Sequence, residues 1–178
     1  MLKRILMVVA ALVVVLLVVI AMQPSKYHVE RTAKMAAAPA AVFAQVNDFH
    51  NWDAWSPWAK IDPAAKITFE GPAAGKGAMF SWDGNDDVGA GKMTILDSHA
   101  PESIHIQLDF LKPFACTAAT QFAFKADGAE TSVTWSMDGD NNFMGKAFGL
   151  FCNMDKMIGA DYEKGLASMK SIVEAPKR

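Results

Sequence analysis

From Ile5 to Met22 no position carries a charge or a strongly polar side chain. Behind that run the chain turns to short alternating patterns. Those 18 residues rise about 27 Å as an α-helix, close to the ~30 Å hydrocarbon thickness of a bilayer. A cleaved secretory signal has an apolar region of about 7–15 residues and a small-x-small cleavage site. Here the run is longer, and Ile20-Ala21-Met22-Gln23 fits that site poorly. The expectation is an uncleaved membrane helix over residues 1–24 and a folded domain over residues 25–178, with Gln23-Pro24-Ser25 as the only spacer. Lys3-Arg4 would stay on the cytoplasmic side, which sends the domain across the membrane, into the periplasm of a bacterium.

Beyond the spacer, Tyr27–Ala36 alternates and reads as a strand. Pro39 suits the first turn of a helix through Val46, and Asp48–Trp58 reads as a short helix breaking at Ser56-Pro57. Six further strands follow: Lys66–Glu70, Ala78–Asp83, Val88–Asp97, Ser103–Phe110, Cys116–Lys125 and Thr131–Asp138. Turn residues such as Gly71-Pro72, Lys112-Pro113 and Asp127-Gly128 separate them. Ile104, Ile106, Leu108 and Phe110 share one strand face against His105, Gln107 and Asp109. Val133, Trp135 and Met137 oppose Ser132, Thr134 and Ser136 in the same way. One apolar and one wet face is the pattern of an antiparallel sheet packed on something. That partner is the segment Phe143–Val173, whose spacing is helical, with a kink expected at Gly159 and a second piece starting near Asp161. The order predicts an α+β fold: a curved antiparallel sheet of about seven strands around a long C-terminal helix.

Charge narrows the functions. Without Lys3 and Arg4 the chain keeps 15 basic residues against 19 acidic. No basic stripe with interleaved aromatics occurs, so nucleic acid is not an expected partner. No H-x-H, H-E-x-x-H or C-x-x-C spacing occurs, and neither a metal nor a cofactor is expected. Cys116 and Cys152 read as two small buried apolar residues, with a disulfide between them as the alternative. Gly71–Gly77 lacks phosphate-loop spacing, and Asp83–Asp87 lacks the glutamate of a calcium loop; both read as turns. His105 and Asp109 lie about 13 Å apart along one strand, too far to bond. His50 and Asp53, three apart, could meet on a short helix.

The stretch Asn51-Trp52-Asp53-Ala54-Trp55-Ser56-Pro57-Trp58 resembles the W-x-x-W-S-P-W segment of the polyketide cyclase/dehydrase branch of the SRPBCC (START/Bet v1-like) superfamily. Val133–Gly139 and Met154–Leu166 are similar to that family too, with Ala160 where proline is common and Met169 where leucine is common. The resemblance implies a helix-grip fold over about residues 27–174 and a cavity between sheet and long helix. In such proteins that cavity takes lipids, sterols, quinones, polyketides or hormones, and only a minority catalyse. It also implies that Trp52, Trp55 and Trp58 border the cavity mouth. Phe80, Trp82, Phe110, Phe122, Phe124 and Trp135 are expected to project inward from strands, Phe148 and Phe151 to face them from the helix, and Tyr162 to lie at the rim. No catalytic residue is assigned, although Tyr162, with Asp161 and Glu163, is the best candidate because cyclases of this fold use polar cavity groups to move protons. Three readings follow: a membrane-anchored binder of an apolar or lipid-like small molecule, a cyclase or dehydratase acting on an apolar substrate, or a protein-interaction module at the membrane. The protein partner in the last case is unknown.

Overall fold

A computed structural model of the chain describes residues 1–176. The apolar run forms α1 (Leu2–Ala21), one helix long and apolar enough to cross a membrane. After it come β1 (Lys26–Met35), α2 (Pro39–Asn47), a 3-10 turn (Phe49–Asn51) and α3 (Trp52–Trp55). Six strands follow: β2 (Lys66–Glu70), β3 (Met79–Asp83), β4 (Ala90–His99), β5 (Ser103–Lys112), β6 (Cys116–Asp127) and β7 (Glu130–Asp140). The chain closes with α4 (Phe143–Gly149) and α5 (Met154–Val173). All seven strands form one antiparallel sheet in the order β1-β7-β6-β5-β4-β3-β2. Consecutive strands pair as hairpins, and β1 returns to pair with β7 along its whole length.

The alternation sorts the strand residues as expected. Val29, Ile95, Ile104, Ile106, Phe122, Val133 and Trp135 are buried on the face that α2, α3 and α5 cover. A sheet with one dry face needs helices on that face alone, and all the packing helices lie there.

The C-terminal segment departs from expectation. Its break falls at Leu150–Asn153, not at Gly159, and α5 runs unbroken through Gly159. Asn153 caps α5, its side-chain oxygen accepting from the Lys156 N–H at 3.0 Å. Gly159 is instead a site of close approach: a Cβ there would collide with the Arg31 guanidinium. Arg31, on β1, donates to Glu163 at 2.8 Å and to both oxygens of Asp155 at 2.8 and 3.2 Å, and so ties the sheet to α5.

The detached piece, α4, leaves the sheet and packs beside the last turn of α1. Phe148 and Phe151 therefore do not face the strands; they are 46% and 83% exposed. Cys116 is exposed, Cys152 is half-buried and both are free thiols, so neither the buried pair nor the disulfide holds. Cys116 opens β6 at the sheet's end and Cys152 lies in the α4–α5 break, and neither position is covered by the core.

Candidate functional site

The tryptophan-rich stretch is built around the end of α2. The last carbonyls of a helix have no partner within it. Here Asn51 Nδ2 donates to the Ala44 carbonyl at 2.9 Å, Trp55 Nε1 to Gln45 at 3.1 Å and Trp52 Nε1 to Val46 at 3.0 Å. Three donors from one short segment thus cap one helix end. Trp52 and Trp55 are buried, with their rings at 4.5 Å and both edge-on to Phe122 and Trp135. Both lie in the core instead of at a mouth.

Trp58 behaves differently. It is 38% exposed and meets Trp135 and Tyr162 edge-on, at centroid distances of 5.9 and 6.3 Å. Just before it, Pro57 packs on Gly165, where an added Cβ would come within 3.1 Å of the proline ring and 3.0 Å of Trp135. The three stretches singled out in the sequence therefore converge on one point, with Trp58 from the first, Trp135 from the second and Tyr162 from the third.

At that point Trp135 is sandwiched. Tyr162 stacks on one side of it at 3.8 Å and 9°, and Phe122 at 4.8 Å and 26°. Phe124 continues the stack from Phe122 and meets Phe43 of α2. Two polar atoms among the described residues are buried here without a hydrogen-bond partner: Trp135 Nε1 and Thr120 Oγ1. An unpartnered buried donor or acceptor costs about 1–3 kcal/mol, so a native fold rarely leaves two in one patch. The Tyr162 phenol is pushed well above its ordinary value, chiefly by burial. The Thr120 hydroxyl pulls the other way without reaching hydrogen-bond geometry. Tyr162 is thus a neutral phenol at any physiological pH, a donor rather than a base. Tyr27, whose ring lies across Gly139 on the same face, is also raised, first by burial and then by Cys116.

Toward β2 the same face lies beyond α5, which packs over β1, and is covered in part by the 3-10 turn, where Phe49 meets Phe80 at 5.9 Å and His50 stacks on Phe69. Phe80, Trp82, Met93, Leu108 and Phe110 are half-buried there, and Ile67 and Phe69 are 44% and 42% exposed. Trp82 is fixed by its Nε1 bond to the Val88 carbonyl and lies flat over Gly91, a position that no larger residue could share with it. The result is an apolar trough leading away from the polar pair.

A surface depression of about 800 Å³ opens at the far-strand end of the sheet. Its lining takes Lys66, Thr68, Ser81 and Lys92 from the wet face, which alternate with Trp82 and Phe110 at its border with the trough. It is an open fold of the twisted sheet with no buried polar group turned toward it. The unpartnered atoms make the trough beside α5 the better site.

The histidines form no acid–base set. His50 pairs with Asp48 at 2.7 Å instead of Asp53 and stacks on Phe69 at 4.0 Å. Asp109 accepts from Thr117 and Gln107, not from His105. No cluster of metal-ligating side chains occurs among the described residues. Sequence reasoning missed Thr120. Its signal was a hydroxyl on the apolar face of a strand, between Ala118 and Phe122.

A family model described as "Polyketide cyclase / dehydrase and lipid transport" matches residues 26–174. The comparison with curated proteins gives no match. Among solved structures the chain is similar to protein CV1439 from Chromobacterium violaceum, at 13% identity and TM-score 0.60, covering 86% of this chain and 100% of that one. It is similar to the Aha1 dimer from Colwellia psychrerythraea at 14% identity and TM-score 0.57, covering 85% and 99%. It is also similar to the di-domain ARO/CYC BexL from the BE-7585A biosynthetic pathway at 14% identity and TM-score 0.62, covering 89% of this chain and about half, 53%, of that one.

Proposed function

The chain belongs to the polyketide cyclase/dehydrase and lipid-transport family, and on that premise we propose that it binds a small, mainly apolar molecule carrying one polar group, at a membrane to which α1 anchors it. The observation that carries this reading is the pair of buried, unpartnered atoms Thr120 Oγ1 and Trp135 Nε1, both beside Tyr162 on the apolar face of the sheet. A ligand oxygen would accept from the indole N–H, and the Thr120 hydroxyl can donate or accept. The apolar body would lie along Leu108, Phe110, Phe80 and Trp82, with Trp58 at the rim. An apolar pocket with few convergent polar groups is the usual form of a small-molecule site. Anchoring suits such a ligand, because a molecule that partitions into the bilayer is most concentrated there. Lys3-Arg4 favours a cytoplasmic N-terminus and an extracytoplasmic domain.

The neutral phenol of Tyr162 supports a second reading, a cyclase or dehydratase in which the phenol donates a proton to an apolar substrate. Tyr162→Phe separates the two, since binding alone survives it and turnover does not.

Thr120→Val and Leu108→Trp test the binding. The first removes a polar partner at constant shape, and the second fills the trough. Each variant, purified as full chain and exposed to a lipid and quinone extract, is expected to retain several-fold less ligand than the parent. Thr120→Val should melt no lower than the parent, and up to about 1 kcal/mol more stably, because an unbonded hydroxyl has left the core. Full retention in both variants would sink the assignment.

A further inference from the structure

The register places several strand ends on one edge of the sheet. Tyr27 of β1 aligns with Gly139 of β7 and Ala118 of β6, and Cys116 aligns with Phe110 of β5. That edge is where the chain leaves α1, since Lys26 directly follows the spacer and Asn141 N–H bonds the Ser25 carbonyl at 2.8 Å. The β5–β6 hairpin runs beyond this row, and its tip carries Leu111 and Phe114, 62% and 64% exposed.

α4 reaches the same end by another route. Lys146 Nζ donates to the Ala21 carbonyl at 3.2 Å, and Ile20 is the one buried residue of α1. So α4 is fixed against the last turn of the apolar helix. Four large apolar side chains of this segment face solvent: Phe143, Met144, Phe148 and Phe151, from 46% to 83% exposed. Two elements far apart in sequence thus present bare aromatics at the single end from which a membrane-spanning helix emerges. The same edge carries Lys26 opposite Asp140, and Lys112 paired with Asp83 at 2.8 Å. Scattered exposed apolar residues need no explanation, but a cluster of bare aromatics beside a membrane exit has one natural occupant.

We propose that α4 and the tip of the β5–β6 hairpin seat in the interfacial layer of the same bilayer that holds α1, clamping the domain against the lipid surface. This rests on α1 spanning the membrane. The occupant is lipid, because the α4 part of the patch packs on the last turn of α1 and continues its apolar surface. Two contacts besides the helix set the tilt of the domain against the bilayer. Trp82 and Phe110 stand at the same end of the sheet as the hairpin tip, so the clamp brings the mouth of the trough to the lipid.

The test uses the full chain in vesicles of phosphatidylcholine and phosphatidylglycerol, with Cys116→Ser and Cys152→Ser as background. An environment-sensitive fluorophore is attached in turn at Phe114→Cys, Phe148→Cys, Leu12→Cys and Ala126→Cys. The last lies in the β6–β7 hairpin, at the opposite end of the sheet. Nitroxide-labelled lipids are expected to quench the probes at 114 and 148 through a shallow label and the probe at 12 through a deep one, and to leave 126 unaffected. Quenching at 12 with none at 114 and 148 overturns the clamp and leaves the anchor standing. A blue shift at 114 and 148 without quenching overturns it in favour of a protein cover. No quenching at 12 removes the anchor, and the clamp with it.

Discussion

At the scale of single residues, small side chains do the positioning. Gly159 shows this most sharply. In a solvent-exposed helix interior, Gly→Ala gains roughly 1 kcal/mol. Here the added methyl would strike the Arg31 guanidinium, which two carboxylates hold in place. Gly159→Ala is therefore expected to lower stability by about 1 kcal/mol or more in a denaturant titration. A gain near the propensity value would mean that Arg31 moves freely and that its bridge does not position α5. Gly165 and Gly139 admit Pro57 and Tyr27 by the same logic. Gly159 was visible in the sequence only as a potential helix breaker. Its actual role depends on Arg31, which lies more than a hundred residues earlier, and no local pattern encodes that meeting. The tryptophans Trp52 and Trp55 stood out as ligand contacts because large aromatics suit both cores and cavities. Only their indole bonds to the carbonyls of α2 separate the two roles.

Among the elements, the sheet was the most legible and the C-terminal segment the least. Strict alternation on a half-wet sheet leaves little choice of face, and residues Lys66–Glu70 and Ser103–Phe110 fall where their pattern puts them. Between Phe143 and Val173 the apolar spacing is helical throughout, yet two helices with different partners share it. The break follows from Asn153, a helix-capping residue, and not from the more conspicuous glycine. The docking of α5 carries a pH signature. Hydrogen bonds from Arg31 hold the Asp155 carboxyl below its usual range. A carboxylate lowered by folding stabilises the fold fully above its unfolded value, near ~3.9, and loses that contribution as the pH falls through the lower folded value. The tryptophan fluorescence of the Trp135–Tyr162 stack should thus be constant from neutral pH to about 5 and change below about 4. Asp155→Asn should remove part of that change, with Glu163 still bonded to Arg31. An acid transition identical in Asp155→Asn and the parent would show that the bridge does not hold α5 down.

The whole molecule joins three things: a helix long enough to span a bilayer, a sheet gripped by α5 at one side, and an apolar trough left open at the other. Fold and family could be read early because three motifs occurred in the right order with the right strands between them. The trough could not, because its existence depends on how far α5 reaches across the sheet, and helix reach is set by packing on β1 through Arg31 and Gly159 and on Trp135 and Pro57 at Gly165. The two unpartnered atoms beside Tyr162 are likewise invisible to composition, since both belong to residues that sit comfortably in ordinary strands. The central claim is that this space holds a ligand. Native mass spectrometry of the full chain released from lipid nanodiscs, alongside Leu108→Trp, addresses it most directly. One reproducible added mass is expected on the parent, lost on denaturation and absent from Leu108→Trp, whose trough is filled. An unadorned parent, or an adduct carried equally by both proteins, would contradict it.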